Sequence, residues 1–397
     1  MLYPDERRIL LTPGPVVFSS DVLRYMLSTS YEHTSPDFAE IFSSAIKGFR
    51  KLIEAPPESL VFLLPGSGSL AMEAALINIA PRGSKVLIIS NGYFGDRWAE
   101  IASLKGYKVD VIRADHVGGV VSTDLIAERI SREEYTAILA NHVETSTGVR
   151  IDLYELAKIA RNTNSVLIVD GVSSVGAEPL KANSWGVDVI ITASQKALET
   201  PPGIGIICIC SKKALEAFEK TASQVDSFYM KLAEWRKIME AYEVGSAAYF
   251  ATPPTHLIVA LAKALEKIHK EGVENRYTRH RILARALRAG LKGMGLEIVA
   301  RSEEIASNTI TAVYTPPGID PMEIRKEMIR GNIAIAGPLH PQLKGKSIRI
   351  GHMGAVNHND IVSAIALLER VLKKLGARIE LGSGIRAVQE ALYNAGL

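Results

Sequence analysis

A lysine and an aspartate at the ends of two apolar segments are the residues of this sequence that are best placed to do chemistry. Lys196 follows DVIITASQ (188–195), and Asp170 ends SVLIVD (165–170), 26 residues earlier. Burial lowers the pKa of a lysine towards that of a free amine, which is a nucleophile. The simpler alternatives are a lysine whose amine reaches solvent from a strand end and an aspartate that caps a helix. Neither alternative explains why the two residues occur together.

A glycine-bearing turn, GSGS (66–69), lies between an apolar segment and the helical pattern AMEAAL. Unpaired N–H groups and the positive end of a helix dipole make such a turn a phosphate site. The same residues also match the looser G-x-G-x-x-A pattern of nicotinamide-dinucleotide binding, which requires an acidic residue about 20 positions further on. The next apolar segment instead ends in IISNG, without a carboxylate. A nicotinamide-dependent dehydrogenase is therefore the disfavoured alternative.

Seven short apolar segments alternate with helical patterns from about residue 60. Uniformly apolar segments of this length are typical of strands buried on both faces, and repeated strand–helix units predict an α/β fold with a doubly wound, mostly parallel sheet. Ligands bind at the carboxyl edge of such a sheet, so we expect the polar residues that follow the strands to meet there. The predicted strands are residues 61–65, 85–90, 108–113, 136–141, 165–170, 188–193 and 203–210.

The pattern changes after residue 211. Long amphipathic helical patterns continue to about residue 293, and LEIVA, NTITAVYT, NIAIAG and KSIRIGH then alternate with helical segments. This order predicts a smaller α+β unit at the C-terminal side. We predict a large domain at residues 16–264, and a small domain at residues 265–397 that also includes an N-terminal arm at residues 1–15.

Composition argues against several classes of partner. Lys and Arg number 46 against 43 Asp and Glu without any block of like charges, so neither nucleic acid nor a membrane is expected to bind. The N-terminus lacks the apolar core of a signal peptide, and no apolar run approaches the ~20 residues that span a bilayer. Cys208 and Cys210 alternate on one predicted strand, which suits buried thiols in a reducing cytoplasm. Scarce glutamine with plentiful Ile, Arg, Lys and Glu favours a thermophilic source.

A phosphate turn, a lysine and a carboxylate on one sheet edge are together what pyridoxal 5′-phosphate requires. The lysine amine forms a Schiff base with the aldehyde of this cofactor, and the carboxylate keeps the ring nitrogen protonated. The protonated ring stabilises the carbanion that an amino acid forms when it loses its α-proton. A lysine bound in this way is not a bare buried ammonium, which explains why Lys196 is tolerated at this position.

The sequence resembles the class V aminotransferases of the fold-type I pyridoxal phosphate superfamily. SQKAL-x-x-PPG (194–203), with the aspartate 26 residues earlier, carries the resemblance to the class. Further motifs resemble its serine–pyruvate and alanine–glyoxylate aminotransferase branch. These are TPGP (12–15), PGSGS-x-x-MEAAL (65–76), NGYFGDR (91–97), HVETSTGVR (142–150) and IRIGHMG (348–354). The six motifs follow the order of the family and span about residues 10–355. The resemblance implies a PLP-transferase fold of type I, with a large and a small domain.

The resemblance also implies how each matching position contacts the cofactor. Lys196 binds the aldehyde and then carries the proton between the substrate Cα and the cofactor C4′, while Asp170 pairs with the ring nitrogen. Phe94 stacks on the ring, where many relatives have tryptophan or tyrosine, and Thr145 donates a hydrogen bond to the phenolate oxygen. Phosphate contacts are implied for Ser67, Gly68, Ser69 and Gln195. Ser69 replaces the threonine or histidine of many relatives.

Four further positions match residues that bind substrate or the partner subunit in the family. Gly14 lines the substrate pocket, and Arg349 grips the substrate carboxylate, for which the planar fork of arginine suits better than lysine. Tyr249 and Thr252, in AYFATPP, reach the phosphate of the partner subunit, so the active sites are shared across a homodimer. No metal site is predicted.

The function implied is a cytoplasmic, homodimeric aminotransferase that moves an amino group from L-serine or L-alanine to pyruvate or glyoxylate with ping-pong kinetics. Cysteine desulfurase shares the architecture but needs a nucleophilic cysteine on a mobile C-terminal loop, and the two cysteines lie in a predicted strand. A 2-aminoethylphosphonate–pyruvate transaminase remains an alternative. A binding protein that kept the fold without catalysis is less favoured, because Lys196 is present.

Overall fold

The structure is a computed structural model that describes residues 8–397, so residues 1–7 of the predicted N-terminal arm lie outside the described residues. The strands are β1 Ile9–Leu10, β2 Leu60–Pro65, β3 Lys85–Ser90, β4 Lys108–Arg113, β5 Ala137–Asn141, β6 Val143–Glu144, β7 Val149–Arg150, β8 Val166–Asp170, β9 Val189–Ala193, β10 Ile204–Ile209, β11 Ile310–Tyr314, β12 Ile333–Ala334 and β13 Ser347–Gly351. The helices are α1 Ser20–Met26, α2 Pro36–Leu52, α3 Gly68–Ile79, α4 Tyr93–Leu104, α5 Thr123–Arg132, α6 Leu153–Arg161, α7 Ala182–Trp185, α8 Lys212–Thr221, α9 Leu232–Glu243, α10 Thr255–Glu271, α11 Val273–Gly293, α12 Pro321–Arg330, α13 His358–Lys374 and α14 Ser383–Asn394.

A seven-stranded sheet in the order β2-β10-β9-β8-β5-β3-β4 forms the centre of the molecule. Its strands are the seven predicted segments, each within one residue at either end, and the predicted α/β class with a mostly parallel sheet is confirmed. β5, β8, β9 and β10 are buried along their whole length, which is why their sequences are uninterrupted apolar runs. One strand departs from the parallel arrangement: β10 runs antiparallel to both of its neighbours, β2 and β9.

The strand directions decide which loops meet. β3, β4, β5, β8 and β9 are joined by parallel pairings. β2 runs in the same direction as these strands, because two successive antiparallel pairings through β10 restore it. The carboxyl ends of six strands therefore share one edge, as predicted, and that edge receives the turn before α3, the turn before α4 and the residues that follow β5, β8 and β9.

Two hydrophobic cores hold the chain together. The larger core joins the sheet to α2, α3, α6, α9 and α10. The second core contains Leu11, the C-terminal half of α11, and residues from β11, β13 and α12 to α14. The predicted boundary at residues 264/265 falls inside α10, and Leu265 and Ile268, which follow that boundary, belong to the larger core. The division into domains stays a prediction.

Outside the central sheet, the short strands connect distant parts of the chain. β1 pairs in parallel with β12, and the chain then runs back so that the Val16 amide donates to the Gln195 carbonyl at 3.2 Å. β11 pairs with β13. LEIVA (296–300) was expected to behave like a strand, but it makes only one isolated bridge, between Ile298 and Val313. The chain leaves the sheet there, because the Arg301 amide turns away to the Gly118 carbonyl. No helix within residues 8–397 has the length and apolar character needed to cross a bilayer.

Three histidines, His142, His280 and His352, are buried with at most 1% of their surface exposed. Burial lowers the pKa of His142 and His352 to about 3 and holds the pKa of His280 well below its usual value, with nearby arginine charges acting in the same direction. Each histidine is therefore neutral in the folded protein, whereas the unfolded chain binds protons below about pH 6.5. As the pH falls from 7 to 5, each buried histidine should therefore lower the free energy of unfolding by about 2 kcal/mol.

A His142→Leu variant isolates this effect, because the buried Nδ1 of His142 has no hydrogen-bond partner to lose. We measure the free energy of unfolding by urea titration at pH 7 and at pH 5. The decrease between the two pH values should be about 2 kcal/mol smaller in the variant than in the wild type. The exposed His358 provides the control, and His358→Gln should keep the wild-type pH dependence. Equal pH dependence in the His142 variant and the wild type would contradict the prediction.

Candidate active site

Lys196 lies in the turn that follows β9, at the shared carboxyl edge of the sheet. Burial is the main cause that lowers the pKa of its amine to about 8, the positive charge of Arg349 acts in the same direction, and Asp170 opposes them. The amine donates to the Pro13 carbonyl in the N-terminal segment. At this pKa about a tenth of the amine is unprotonated at pH 7, far more than for an ordinary lysine, which suits a nucleophile.

Gly14 lies directly against the Lys196 side chain. A Cβ atom at residue 14 would come within 2.6–2.7 Å of the Cδ, Cε and Nζ atoms of Lys196. The backbone φ of Gly14 is +126°, a value that residues other than glycine rarely adopt. The N-terminal segment can therefore cover Lys196 only because residue 14 has no side chain.

Asp170 is the last residue of β8 and is 5% exposed. Its Oδ1 accepts from the Val172 amide at 2.8 Å, and its Oδ2 accepts from Asn141 Nδ2 at 2.5 Å. Burial raises the pKa of this carboxyl to about 7, and the charge of Glu144 raises it further, against the Val172 and Asn141 hydrogen bonds and the Lys196 charge. A buried carboxyl without an ion-pair partner within residues 8–397 is suited to a cationic group of a ligand.

The turn before α3 leaves the N-terminus of that helix open. Ser67 is the N-cap residue, but no side chain within the described residues makes a capping hydrogen bond there. Gly68 packs closely under Val172, since a Cβ on Gly68 would lie 2.9 Å from the Val172 Cγ2 atom. Ser69 Oγ accepts from Arg97 Nη1 at 3.3 Å. An uncapped helix N-terminus with two hydroxyl groups beside a guanidinium can bind an anion.

Gln195 immediately precedes Lys196 at the same edge of the sheet. Its side-chain oxygen is buried and has no hydrogen-bond partner within residues 8–397. A buried amide group that is left unpaired costs free energy, so it indicates a polar group that the site would supply when occupied.

Phe94 and Thr145 flank the site from two different loops. Phe94 is the second residue of α4, and the Arg97 guanidinium lies 4.9 Å from the centre of its ring. Thr145 is buried after β6, with its Oγ1 2.6 Å from Ser173 Oγ. The Thr145 carbonyl accepts from Arg349 Nη1 at 3.4 Å, which brings the C-terminal strand β13 to this loop.

Arg349 projects from β13 and has no carboxylate partner within residues 8–397. Its Nε donates to the Gly337 carbonyl at 2.8 Å. Burial lowers the pKa of this guanidinium to about 10, while the negative charge of Glu144 opposes the shift. An arginine held by carbonyl groups, with hydrogen-bond donors unused, is suited to a carboxylate ligand.

Tyr249 and Thr252 are exposed and precede α10, and Tyr249 is 67% exposed. The Tyr249 ring lies 5.5 Å from the His33 ring. Within residues 8–397 neither side chain makes a hydrogen bond to a residue of the site. The structure thus brings together ten of the twelve predicted residues at one edge and leaves these two on the surface, where their role across a subunit boundary stays a prediction.

Several residues of the site had no predicted role, among them Asn141, Glu144 and Ser173. Asn141 ends β5 directly opposite Asp170 in the register of β5 and β8, so the strand pairing would have pointed to it. Glu144 is the one charged residue of the segment VETSTG (143–148), and an acidic residue three positions after a buried strand is a signal that points to it.

The position of β2 bears on the nicotinamide alternative. Within residues 8–397, β2 is an edge strand and its one partner is the antiparallel β10. In dinucleotide-binding sheets, the glycine-rich turn follows a central parallel strand at the point where the strand order reverses. The turn at residues 66–69 follows an edge strand instead, so the dehydrogenase alternative loses its structural basis.

Comparisons with known proteins agree with this geometry. The family model described as Aminotransferase class-V matches residues 21–358. Alanine–glyoxylate aminotransferase 1 of Saccharomyces cerevisiae is 36% identical over 88% of this chain and 93% of its own length. A serine–glyoxylate aminotransferase of Methylorubrum extorquens is 35% identical over 97% of this chain and 96% of its own length. The crystal structure of ureidoglycine–glyoxylate aminotransferase from Bacillus subtilis matches 99% of this chain and 100% of its own chain, with a TM-score of 0.89 and 27% identity.

Proposed function

This chain belongs to the class V aminotransferases, and we propose that it moves an amino group from L-serine or L-alanine to glyoxylate or pyruvate. The observation that carries the proposal is Arg349, a guanidinium without a carboxylate partner within residues 8–397 whose charge acts on the Lys196 amine. Amino acids and 2-oxo acids share a carboxylate next to the reacting carbon. One arginine can therefore hold both substrates with that carbon near Lys196.

The residues of the site fit pyridoxal 5′-phosphate. When bound, this cofactor supplies an aldehyde and a ring that accepts electrons from the bond broken at the substrate Cα. Lys196 would hold the aldehyde and move the Cα proton, and Asp170 would accept a hydrogen bond from the ring N–H. Phe94 would stack on the ring, and Thr145 would donate to the phenolate oxygen. The open end of α3 and its two hydroxyl groups fit the phosphate, with the contacts assigned to Ser67, Gly68, Ser69 and, through its side-chain NH₂ group, Gln195.

The choice of glyoxylate and a small donor rests on the named relatives and on the close approach of Gly14 to Lys196. The three relatives named above share glyoxylate as acceptor and differ in their donors, which are alanine, serine and ureidoglycine. Gly14 closes against Lys196 without a side chain, which favours a small donor. The desulfurase alternative loses support because Cys208 and Cys210 are buried, at 0% and 4% exposure. 2-Aminoethylphosphonate is kept as a competing donor in the test below.

A homodimer with shared active sites is part of the proposal. Large apolar side chains lie exposed at this surface: Phe228, whose ring lies 5.1 Å from the ring of Phe250, is 81% exposed, and Tyr249 itself is 67% exposed. Exposed apolar side chains of this size are typical of interaction surfaces. Analytical ultracentrifugation at micromolar concentration should give a dimer. We place the protein in the cytoplasm, in keeping with two unpaired cysteines.

The proposed function is tested with the two half-reactions measured separately. L-Serine or L-alanine should bleach the cofactor absorption band of the loaded protein, and glyoxylate or pyruvate should restore it. Initial rates with both substrates varied should give parallel double-reciprocal lines, since the donor product leaves before the acceptor binds. Bleaching by 2-aminoethylphosphonate but by neither amino acid would favour that alternative, and a protein that takes up no cofactor would refute the proposal.

Replacing Arg349 tests how the substrate carboxylate is held. Arg349→Lys keeps a positive charge but loses the planar fork, so kcat/KM should fall about tenfold to hundredfold for both donor and acceptor. The cofactor absorption band should keep its position. Arg378→Lys, at an exposed arginine, serves as the control. A loss confined to one of the two substrates would contradict a shared carboxylate site.

A further inference from the structure

Helix α4, which carries Phe94, begins without a cap of its own. Its N-cap residue is Gly92, which has no side chain to accept from the first amides of the helix. The first N–H groups of any α-helix have no partner within the helix and need acceptors from elsewhere. In α4 these are the amides of Tyr93, Phe94 and Gly95.

Two residues of the loop after β5, Glu144 and Ser146, supply those acceptors from 49 to 53 positions further along the chain. Ser146 Oγ accepts from the Tyr93 amide at 3.1 Å. Glu144 Oε2 accepts from the amides of Phe94 and Gly95 at 3.0 and 3.1 Å. Glu144 Oε1 accepts from the Ser146 amide at 2.9 Å and from Ser146 Oγ at 2.6 Å. We call this set of hydrogen bonds the Glu144 cap.

Gly92 is shaped to admit the Glu144 cap. A Cβ on Gly92 would lie 2.6 Å from Ser146 Oγ and 2.8 Å from Glu144 Cγ, and the backbone φ there is +156°. The glycine that deprives α4 of its own cap thus makes room for the cap that the other loop provides. The motifs NGYFG and HVETSTG form one interlocked unit at the edge of the sheet.

The Glu144 side chain is an unusual capping group because it is buried, at 1% exposure, and forms no ion pair within residues 8–397. Burial is the main cause that raises the pKa of this carboxyl, and the hydrogen bonds from Ser146, Gly95 and Phe94 oppose it. A carboxylate in this position is stabilised by four donors and by the positive end of α4. Removing one partner of such a buried network leaves the other groups without their hydrogen bonds, so the Glu144 carboxylate holds the two loops in one arrangement.

The two loops that the Glu144 cap joins carry two proposed cofactor contacts. Phe94 donates its own amide to Glu144, and Thr145 lies between the two capping residues. The first amides of α3 have no side-chain acceptor within the described residues, whereas the first amides of α4 are bonded to Glu144 and Ser146. The open helix end is available to an anion, whereas the filled one is a fixed support for the Phe94 ring.

We propose that Glu144 is a positioning residue of the active site, which with Ser146 fixes the Phe94 ring relative to the Thr145 hydroxyl. The inference rests on the proposed function, because the two side chains it aligns are cofactor contacts only in a pyridoxal phosphate enzyme. A glutamine at residue 144 has nearly the same shape but carries an NH₂ group in place of one oxygen. That NH₂ group must face either the Phe94 and Gly95 amides or the Ser146 amide. Since an NH₂ group and a backbone N–H both donate, the hydrogen bond on that side is lost, and the loop that made it moves away.

The test compares Glu144→Gln with Glu178→Gln. Glu178 is an equally buried carboxylate, at 0% exposure, that accepts from the amide and side chain of Asn308 and pairs with Arg150 at 3.8 Å. Within residues 8–397 it makes no hydrogen bond to Phe94 or Thr145. In the cofactor-free Glu144 variant, amide hydrogen exchange at residues 93–95 should quicken. Affinity for pyridoxal 5′-phosphate should fall roughly tenfold to hundredfold, and the visible circular dichroism of the bound cofactor should change, since a ring displaced by about 1 Å loses its contacts.

Each outcome decides the proposal. Glu178→Gln is expected to lower the melting temperature while keeping wild-type cofactor affinity and circular dichroism. A Glu144→Gln protein that loses stability and keeps both cofactor readouts at wild-type values would overturn the positioning role. Should Glu144→Gln fail to fold, Ser146→Ala removes one capping acceptor and retains the carboxylate; a smaller change in the same direction supports the role, and unchanged circular dichroism overturns it. A wild-type protein that takes up no cofactor would refute the proposed function and this inference with it.

Discussion

Replacing Lys196 with alanine should abolish the covalent form of the loaded protein and reduce the rate of either half-reaction by roughly a thousandfold or more. The variant loses the amine that holds the aldehyde and the base that moves the Cα proton, and no other lysine is a predicted member of the site. It should still bind pyridoxal 5′-phosphate without a covalent bond, because the open end of α3, Asp170 and Gln195 remain. Borohydride trapping followed by mass spectrometry, with single-turnover absorption, measures both effects.

Two controls separate chemistry from structure at Lys196. Lys158→Ala, at a mostly exposed lysine that pairs with Glu155, should behave as the wild type. Added methylamine should restore part of the half-reaction rate in Lys196→Ala, because a small amine can replace a missing base but cannot repair a misfolded site. Full activity without Lys196, or covalent trapping at another lysine, would show that the nucleophile lies elsewhere.

Replacing Asp170 with asparagine should lower kcat roughly a hundredfold or more and leave KM within a few-fold of the wild type. The carboxylate is the one acidic group proposed to hold a proton on the ring nitrogen, and an amide of the same size carries no charge to do so. The fold should survive, since asparagine can still accept from the Val172 amide or from Asn141. Single-turnover bleaching by L-serine measures the rate of the first half-reaction directly.

Asp188 offers a matched control for Asp170. It is a buried aspartate, at 3% exposure, immediately before β9 at the opposite edge of the sheet, where it accepts from the Leu167 amide and pairs with Lys213. Asp188→Asn should lower the melting temperature and keep the wild-type bleaching rate. Similar losses of rate in both variants would mean that Asp170 acts through the stability of the sheet and not through the cofactor.

The fold was largely predictable because the information lies in short stretches of sequence. A strand that is buried on both faces is apolar at most positions, so β5, β8 and β9 are visible in the sequence as short, mostly apolar segments. The residues that follow parallel strands lie at one edge of the sheet, so the sequence alone predicts that Asp170 and Lys196 lie close together. The family model and the named relatives confirm the class V resemblance that six motifs carried.

The local sequence pattern is less informative about the direction and pairing of strands, because these depend on the neighbouring strands. β10 is as apolar as its neighbours, but nothing in its sequence says that it runs antiparallel between β2 and β9. LEIVA has the composition of a strand and makes one bridge, because the chain turns away towards Gly118. Strand propensity describes how well a residue fits a pleated sheet. Whether a segment pairs depends instead on whether the edge of another strand is free to bond it.

The sequence by itself determined the residue types of the site and the order in which a parallel sheet presents them. Only the tertiary structure placed Gly14 against Lys196, left Arg349 without a carboxylate partner within residues 8–397, and brought Glu144 to the end of a helix about 50 positions away. Each of these features is a contact between segments distant in the chain, whereas a sequence pattern reports only how one segment meets water or a neighbouring turn. The pKa and the role of the Glu144 carboxyl and of the Arg349 guanidinium are set by groups from distant parts of the chain.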